Sequence, residues 1–368
     1  MTDEGRRWPV GITVLAVLAV FYTLYFARSF LLPIVFALLL DFLLSPAVRA
    51  LVRWHVPLPL AAGLVLIALL GVGGLGVYDL SGPVQSWAEN APETLATAQS
   101  RLRRLLKPLQ RMTKTAEQVE SAATGGGVVA GGGAAKPTEV VVRGPTIVSR
   151  LFGSTQRFLA GLIEVLFLLY FLLAAGDLFL QKLIKVLPNV HDRHKAIEIA
   201  RATEASISTY LLTTLAVNAI EGAVVAAALW ALGMPNPVLW GALVTLLEFI
   251  PYLGAITLVV ILTLGALASF NDVGHALLVP GAFLAINLIQ ANIVSPMLLG
   301  HRLALNPVAL LVSLAFWLWI WGIPGGLLAV PLLATLKIFC DHIERLAPLG
   351  EFLGRRGRAP QTATLTSS

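Results

Sequence analysis

Two stretches of the chain repeat one pattern: residues 236–254 read NPVLWGALVTLLEFIPYLG, and residues 306–326 read NPVALLVSLAFWLWIWGIPGG. Each begins with Asn-Pro-Val, continues as an apolar run and ends in Ile-Pro followed by glycine. Proline is favoured in the first turn of a helix, whereas Ile-Pro before glycine interrupts a helix and frees backbone groups. Each stretch therefore predicts two helices separated by an Ile-Pro-x-x-Gly-type break, unless these are two unrelated proline kinks. The predicted hinge residues are Pro251, Gly254, Pro324, Gly325 and Gly326.

The composition of the whole chain is that of a membrane protein. Of its 368 residues, 57% are hydrophobic and 12% are charged, and the mean hydropathy is +0.82. Soluble domains carry about 25% charged residues, so a surface this poor in charge indicates contact with lipid. The sequence predicts an all-α polytopic integral membrane protein whose surroundings are the lipid bilayer.

The charges and motifs of the chain exclude several other classes. The net charge of +6 does not indicate nucleic acid, because Lys and Arg lie at the ends of apolar segments, where they set membrane orientation. The single cysteine, Cys340, excludes an internal disulfide and a thiolate metal cluster. The chain has no nucleophile elbow, phosphate-binding loop or histidine pair at metal-ligand spacing. The sequence therefore predicts no enzyme, no metal and no cofactor.

Membrane-spanning helices need about 20 mostly apolar residues, and several segments meet this condition. The clearest segments before the repeats are residues 9–27, 30–52, 58–77, 158–176 and 211–232. We divide the chain into residues 1–80 with the first three helices, 81–157 as an extramembrane loop, 158–343 as the core, and 344–368 as a basic disordered tail. The extramembrane loop is predicted to hold a helix over 93–120 and a glycine-rich linker over 124–133. Within the core, a cytoplasmic helical extension is expected near 189–210, with Asp192 as its N-cap.

The positive-inside tendency predicts that both termini are cytoplasmic and that the glycine-rich loop is external. Two arrangements of the broken pairs fit this orientation. If both pairs span, the chain has about eight membrane helices; if both are re-entrant hairpins, it has six plus two hairpins. Arg302 is external in the first arrangement and internal in the second, which gives the second a slight preference.

Four segments of the chain resemble the AI-2E family of transporters, which is named for autoinducer-2 export and is related to PerM-type permeases. The segments are NPVLWG at 236–241, FIPYLG at 249–254, QANIVSP at 290–296 and GIPGGLLAVPL at 322–332. They match in order and spacing from about residue 156 to 343. The resemblance implies a multi-span protein of the bacterial inner membrane that exports small signalling molecules or, in some relatives, exchanges sodium for protons.

One helix carries the strongest candidate site. Thr214, Asn218 and Glu221 occur at i, i+4 and i+7, so they form a polar stripe on one helical face. An ionisable residue at membrane depth is costly and indicates function by default. We therefore expect Glu221 to bind substrate or ion; a structural hydrogen bond between helices is the alternative. Glu248 lies beside the first break at Pro251, where its carboxylate and the freed carbonyls could together bind a cation or a hydroxyl-rich solute; the alternative is a capping or surface residue.

A third polar group follows in the next helical segment. Asn287 and Gln290 share a helical face and precede Asn292, and the three amides could bind a polar solute. Asp41 and Glu164 are weaker candidates, because each lies near the end of a span.

These features predict a permease or exporter of a small polar solute, such as an autoinducer-2-like molecule, that is facilitative or driven by an ion gradient. The alternatives are a sodium/proton antiporter of the same family and, more distantly, a membrane scaffold or a membrane-embedded enzyme. The expected partners are the bilayer and a small molecule or ion, without nucleic acid. Assembly into a homo-oligomer is left open.

Overall fold

The computed structural model describes residues 10–85, 100, 147–176, 178, 182, 190–299, 305–343 and 346–354. These residues are helical almost throughout, which confirms the predicted all-α membrane fold. In chain order the helices are α1 (Val10–Phe26), α2 (Arg28–Arg53), α3 (Leu58–Gln85), α4 (Ile147–Ala175), α5 (Val190–Ala231), α6 (Pro237–Leu247), α7 (Leu253–Ser269), α8 (Val273–Ile289), a π-helical turn (Gln290–Val294), α9 (Ser295–Leu299), α10 (Pro307–Trp321), α11 (Ile323–His342) and α12 (Ala347–Leu353).

Five helical segments of the described chain are long and apolar enough to cross a membrane. They are α2, α3, residues 196–231 of α5, residues 273–298 and α11. The apolar helices α6, α7 and α10 are shorter than these five. α6 has 11 residues, about 16 Å at 1.5 Å per residue, so it cannot cross a hydrocarbon core of about 30 Å by itself.

An N-terminal group of helices has a buried cluster of its own and also packs against the second repeat, where the Trp321 indole N–H donates to the Leu24 carbonyl at 2.9 Å. Small residues of α2 and α3 meet larger ones of α4 in one buried cluster: Ala37, Val48, Ala61, Ala62, Val65, Leu169 and Leu173. An ion pair between Arg49 of α2 and Glu204 of α5, at 2.7 Å, connects this group to the rest of the molecule. α2 also packs directly along α5.

Both repeated stretches form two helices separated by a break, but the breaks differ in detail. In the first pair, residues 248–252 form the turn, and Tyr252 has a left-handed φ of 63° immediately before α7. In the second pair, Gly322 (φ 67°) is the break, and Ile323 and Pro324 already belong to the first turn of α11. Proline is a turn residue in the first break and a helix-starting residue in the second, which agrees with its two favoured positions.

Glycine closes each pair tightly. A Cβ added to Gly254 would overlap the Leu247 carbonyl, and one added to Gly325 would overlap the Trp317 carbonyl. The second helix of each pair therefore begins against the backbone of the first. The two breaks also touch, because Ile250 packs with Leu314 and Ala329 of the second pair.

α5 is one continuous helix of 42 residues from Val190 to Ala231. It packs against α2, α6, α8 and α11, so it lies at the centre of the described structure. The prediction that Asp192 caps this helix is wrong, because α5 begins at Val190 and Asp192 lies inside its first turn.

The remaining predicted boundaries fall partly outside the described residues. The predicted helix over 93–120 and the glycine-rich linker over 124–133 lie outside them, apart from Ser100. At the other end, residues 347–353 of the predicted disordered tail form α12. Its Leu353 is buried with Ala309, Leu333 and Cys340, and this packing orders a segment whose own sequence is too short to be a stable helix.

Candidate functional site

Three polar side chains from three different parts of the chain meet beside the first break. The Asn287 amide of α8 donates to Oε1 of Glu221 at 3.0 Å and to Oε1 of Glu248 at 3.1 Å. Glu221 is 3% exposed, whereas Glu248 and Asn287 are partly buried. A single amide group therefore bridges two carboxyl groups, and we call these three residues the carboxyl–amide cluster.

Glu221 reaches this position because α5 and α6 cross at two glycines. A Cβ at Gly222 would overlap the Gly241 carbonyl oxygen, and a Cβ at Gly241 would overlap the Gly222 carbonyl oxygen. Small residues allow such close backbone contact between membrane helices. The Thr245 hydroxyl adds a polar contact at this crossing, 3.2 Å from the Asn218 carbonyl oxygen and 3.1 Å from the Gly241 carbonyl oxygen.

Glu248 reaches the cluster because α6 ends there. Its backbone N–H bonds the Val244 carbonyl, and the chain then leaves the helix through Phe249, Ile250 and Pro251. The break thus ends the helix one residue before Glu248, with the carboxyl group directed to Asn287. Glu248 therefore lies at the C-cap of α6 with its carboxyl group on Asn287, and the prediction that it binds a cation or solute stays a prediction.

Asn218 and Thr214 lie on the same helix as Glu221 and are buried, at 2% and 9% exposed. Asn218 Nδ2 and the second oxygen of Glu221, Oε2, have no hydrogen-bond partner among the described residues. Thr214 Oγ1 likewise has none with hydrogen-bond geometry, although the Tyr210 hydroxyl is close enough to interact with it. These buried polar atoms on α5 continue away from the carboxyl–amide cluster toward the N-terminus of the helix.

The other predicted binding residues are not joined to the cluster by side-chain hydrogen bonds. Gln290 is partly buried and begins the π-helical turn. Asn292 is exposed, and its amide donates to the Leu288 carbonyl of its own helix at 2.8 Å. The π-helical turn carries an extra residue per turn, which changes the face on which these two amides lie relative to Asn287.

The predicted hinge residues lie at the two breaks, where Gly254 and Gly325 approach backbone carbonyls and Gly326 approaches apolar side chains. Gly325 and Gly326 are buried, and a Cβ on Gly326 would lie 3.4 Å from Cγ2 of Ile250. The second break therefore packs against the first break through apolar contacts, whereas the side-chain hydrogen bond to Asn287 comes from Glu248 on the first break. This contact connects Gly326 to the first break without placing a charged group there.

Residues at the α5–α6 crossing complete the site but were missing from the sequence-based prediction. Gly222, Gly241 and Thr245 position Glu221 and Asn218 as described above. The signal that could have indicated them is the small-residue spacing of Gly241 and Thr245, which are one helical turn apart and face the glycine that follows Glu221.

The chemistry open to the cluster follows from its atoms. Two carboxyl groups and an amide offer oxygen ligands for a small monovalent cation, acceptors for a proton, and acceptors for the hydroxyl groups of a polar solute. Within the described ranges, no three His, Cys, Asp or Glu side chains come together as metal ligands.

Comparison with known proteins agrees with this architecture. The sequence model of the family described as AI-2E family transporter matches residues 14–345 of this chain. The AI-2 transport protein TqsA of Escherichia coli (strain K12) is 27% identical over 317 residues, which cover 86% of this chain and 87% of TqsA. A putative transport protein of Mycobacterium tuberculosis, MT0215, is 27% identical over 92% of this chain and 89% of its own length. A putative transport protein of Haemophilus influenzae is 24% identical over 95% of this chain and 96% of its own length. This multi-pass membrane protein therefore belongs to the AI-2E family of transporters.

Proposed function

We propose that the protein transports a small polar solute across the bacterial plasma membrane and that a proton or small cation bound at the carboxyl–amide cluster takes part in the transport cycle. The observation that carries this proposal is the buried Glu221, joined through Asn287 to Glu248 beside a helix break. Two carboxyl groups are retained at membrane depth only at high cost, and such groups mark ion and substrate paths.

The break supports the same proposal. Helix breaks inside a membrane are tolerated where the backbone is buried in protein or faces a wet cavity, and discontinuous helices form the binding sites of many transporters. The site therefore combines a break in the helical backbone with ionisable side chains. This arrangement favours a transporter over a passive scaffold, because a scaffold has no need of ionisable groups beside a helix break.

The chemical class of the solute follows from the cluster and from the relatives. Carboxyl and amide groups bind hydroxyl-rich solutes, and the relative TqsA is named as an AI-2 transport protein. We propose an autoinducer-2-like, hydroxyl-rich solute as the cargo. The second candidate is sodium/proton exchange, which is favoured by the pairing of two carboxyl groups in one site. We further propose that both termini are cytoplasmic.

Flux measurements in proteoliposomes test the proposal. Purified protein is reconstituted, and uptake of labelled solute and of sodium is measured with and without a pH or sodium gradient. We expect flux that responds to a gradient, strong loss of this response in Glu221→Gln, and no loss in Glu164→Gln, because Glu164 is exposed on α4. Equal flux in wild type, Glu221→Gln and protein-free liposomes would contradict the proposal.

A further inference from the structure

Most of the buried polar groups of α5 lie on one side of the helix, between the carboxyl–amide cluster and the N-terminal end. Among the described residues, five of the six buried polar or charged side chains lie on α5; they are Thr203, Ser208, Thr214, Asn218 and Glu221. Four residues of α5 fall within about 20° of one line along the helix; they are Thr203, Tyr210, Thr214 and Glu221. From Thr203 to Glu221 this line is about 27 Å long.

These side chains have polar atoms that the protein itself does not satisfy. Among the described residues, the buried side-chain atoms without a hydrogen-bond partner all belong to residues on this line or, for Asn218, about 60° to one side of it; they are Thr203 Oγ1, Thr214 Oγ1, Asn218 Nδ2 and Glu221 Oε2. Each of the four side chains is more than nine-tenths buried. Buried polar atoms in native proteins are almost always paired with protein or with ordered water, so water is the expected partner here.

Two other helical threonines of the molecule donate their hydroxyls to a backbone carbonyl of their own helix. Thr263 of α7 donates to the Val259 carbonyl at 2.6 Å, and Thr335 of α11 donates to the Pro331 carbonyl at 2.8 Å. A helical threonine commonly satisfies its hydroxyl in this way. The hydroxyls of Thr203 and Thr214 are buried but make no such bond to a carbonyl of their own helix.

One water can satisfy two of the unpaired atoms near the cluster. Asn218 Nδ2 is a donor and Glu221 Oε2 is an acceptor, and the two residues are one helical turn apart. A water that accepts from Asn218 and donates to Glu221 fits both. Further waters at Thr214 and Thr203 can each accept and donate, because a hydroxyl group does both.

The far end of the line is polar and charged. Glu204 follows Thr203 and pairs with Arg49 of α2, which is 55% exposed, and Asp41 of α2 interacts electrostatically with both charges. Beyond Glu204 the next charged residue on α5 is Glu221, so the line leads from a charged, accessible end into an uncharged stretch of helix.

We propose that this face of α5 holds a file of water molecules that joins Glu221 to the aqueous phase at the Arg49–Glu204 end, and that protons and small cations reach the carboxyl–amide cluster along it. This inference rests on the proposed function and adds to it the route by which the site is loaded. The groups that face the route are Asp41 and Arg49 from α2, Glu204 and Tyr210 on α5 itself, and Glu248 from the first break.

Silver ions test the route, because Ag⁺ is close in size to the alkali cations and reacts with cysteine thiols that water reaches. Single cysteines are placed at Thr203, Thr214 and Asn218 in a Cys340→Ala background, and the fraction modified by Ag⁺ is measured as loss of later maleimide labelling. The controls are Val224→Cys on the exposed side of α5 and Thr263→Cys on α7. We expect modification at all three test positions at least tenfold faster than at either control.

Rates at Thr214→Cys and Asn218→Cys no faster than at Val224→Cys would overturn the proposal, as would fast reaction at Thr203→Cys alone. Where a cysteine variant does not purify as folded protein, Thr214→Val is compared with Thr263→Val for the rate of proton entry into proteoliposomes. We expect at least a tenfold loss in the first and none in the second; equal rates would overturn the proposal. Because silver labelling does not require transport, a failed route with a transport-defective Glu221→Gln leaves the proposed function standing.

Discussion

Replacement of Asn287 by leucine isolates the contribution of the bridging amide. Leucine is close to asparagine in shape and has no donor, so the change removes both hydrogen bonds, at 3.0 Å to Glu221 and 3.1 Å to Glu248. Glu248 is partly exposed, and water can replace its lost partner. Glu221 is 3% exposed, so its carboxyl group loses the side-chain donor that the structure gives it.

The expected effect follows from this difference in burial. Leaving a buried acceptor without its donor costs about 1–3 kcal/mol, and we assign most of this to Glu221. We therefore expect Asn287→Leu to lower the free energy of unfolding by about 1–3 kcal/mol. The matched control is Asn292→Leu, whose amide is exposed and bonds its own helix, and we expect it to stay within about 0.5 kcal/mol of wild type.

Unfolding is followed by tryptophan fluorescence in mixed micelles titrated with sodium dodecyl sulfate. The double variant Glu221→Gln/Asn287→Leu completes a mutant cycle, and direct contact predicts a coupling of about 0.5–3 kcal/mol. Equal stability of Asn287→Leu and Asn292→Leu, together with a coupling near zero, would refute the reasoning that Asn287 holds the two carboxyl groups.

Three further expectations concern the surroundings of the site. Gly222→Ala should destabilise the protein by about 1–3 kcal/mol, because the added Cβ would overlap the Gly241 carbonyl. The control Gly281→Ala should not destabilise it, because no atom lies within 4 Å of a Cβ added there. Thermal unfolding of both variants in detergent checks this, and equal unfolding midpoints would contradict it. Arg49→Ala removes a partly exposed ion pair, so it should lower the free energy of unfolding by at most about 1 kcal/mol, and by less in high salt. Thermal unfolding at two salt concentrations measures this, and a larger loss of stability that salt leaves unchanged would contradict it. Reporter fusions at Gly131 and Ser368 test the proposed orientation, and cytoplasmic activity at Gly131 would contradict it.

The sequence predicts features that depend on local chemistry. Proline and glycine act through their own backbone geometry, so the two repeated breaks could be located from residues 236–254 and 306–326 alone. The helical period likewise places Thr214, Asn218 and Glu221 on one face, and the structure shows all three buried. Membrane spans follow from hydropathy because the backbone must be satisfied within each helix.

Features that depend on tertiary contacts could not be predicted from the local sequence. Glu221, Glu248 and Asn287 belong to different elements, and their meeting depends on the α5–α6 crossing at Gly222 and Gly241. The π-helical turn at Gln290–Val294 changes the faces of Gln290 and Asn292, which a regular helical period does not predict. Helix α12 depends on burial of Leu353 beside α10 and α11, which the basic composition of the tail conceals.

Chemical labelling of the carboxyl groups tests the central claim most directly, namely that the carboxyl–amide cluster binds a proton or small cation. Dicyclohexylcarbodiimide reacts with protonated carboxyl groups in apolar surroundings, and peptide mass spectrometry identifies the modified residue. We expect modification at Glu221 or Glu248 that decreases as pH rises and as the transported cation is added, with no such response at Glu164. Absence of modification at both cluster residues, or modification that neither pH nor cation changes, would contradict the account.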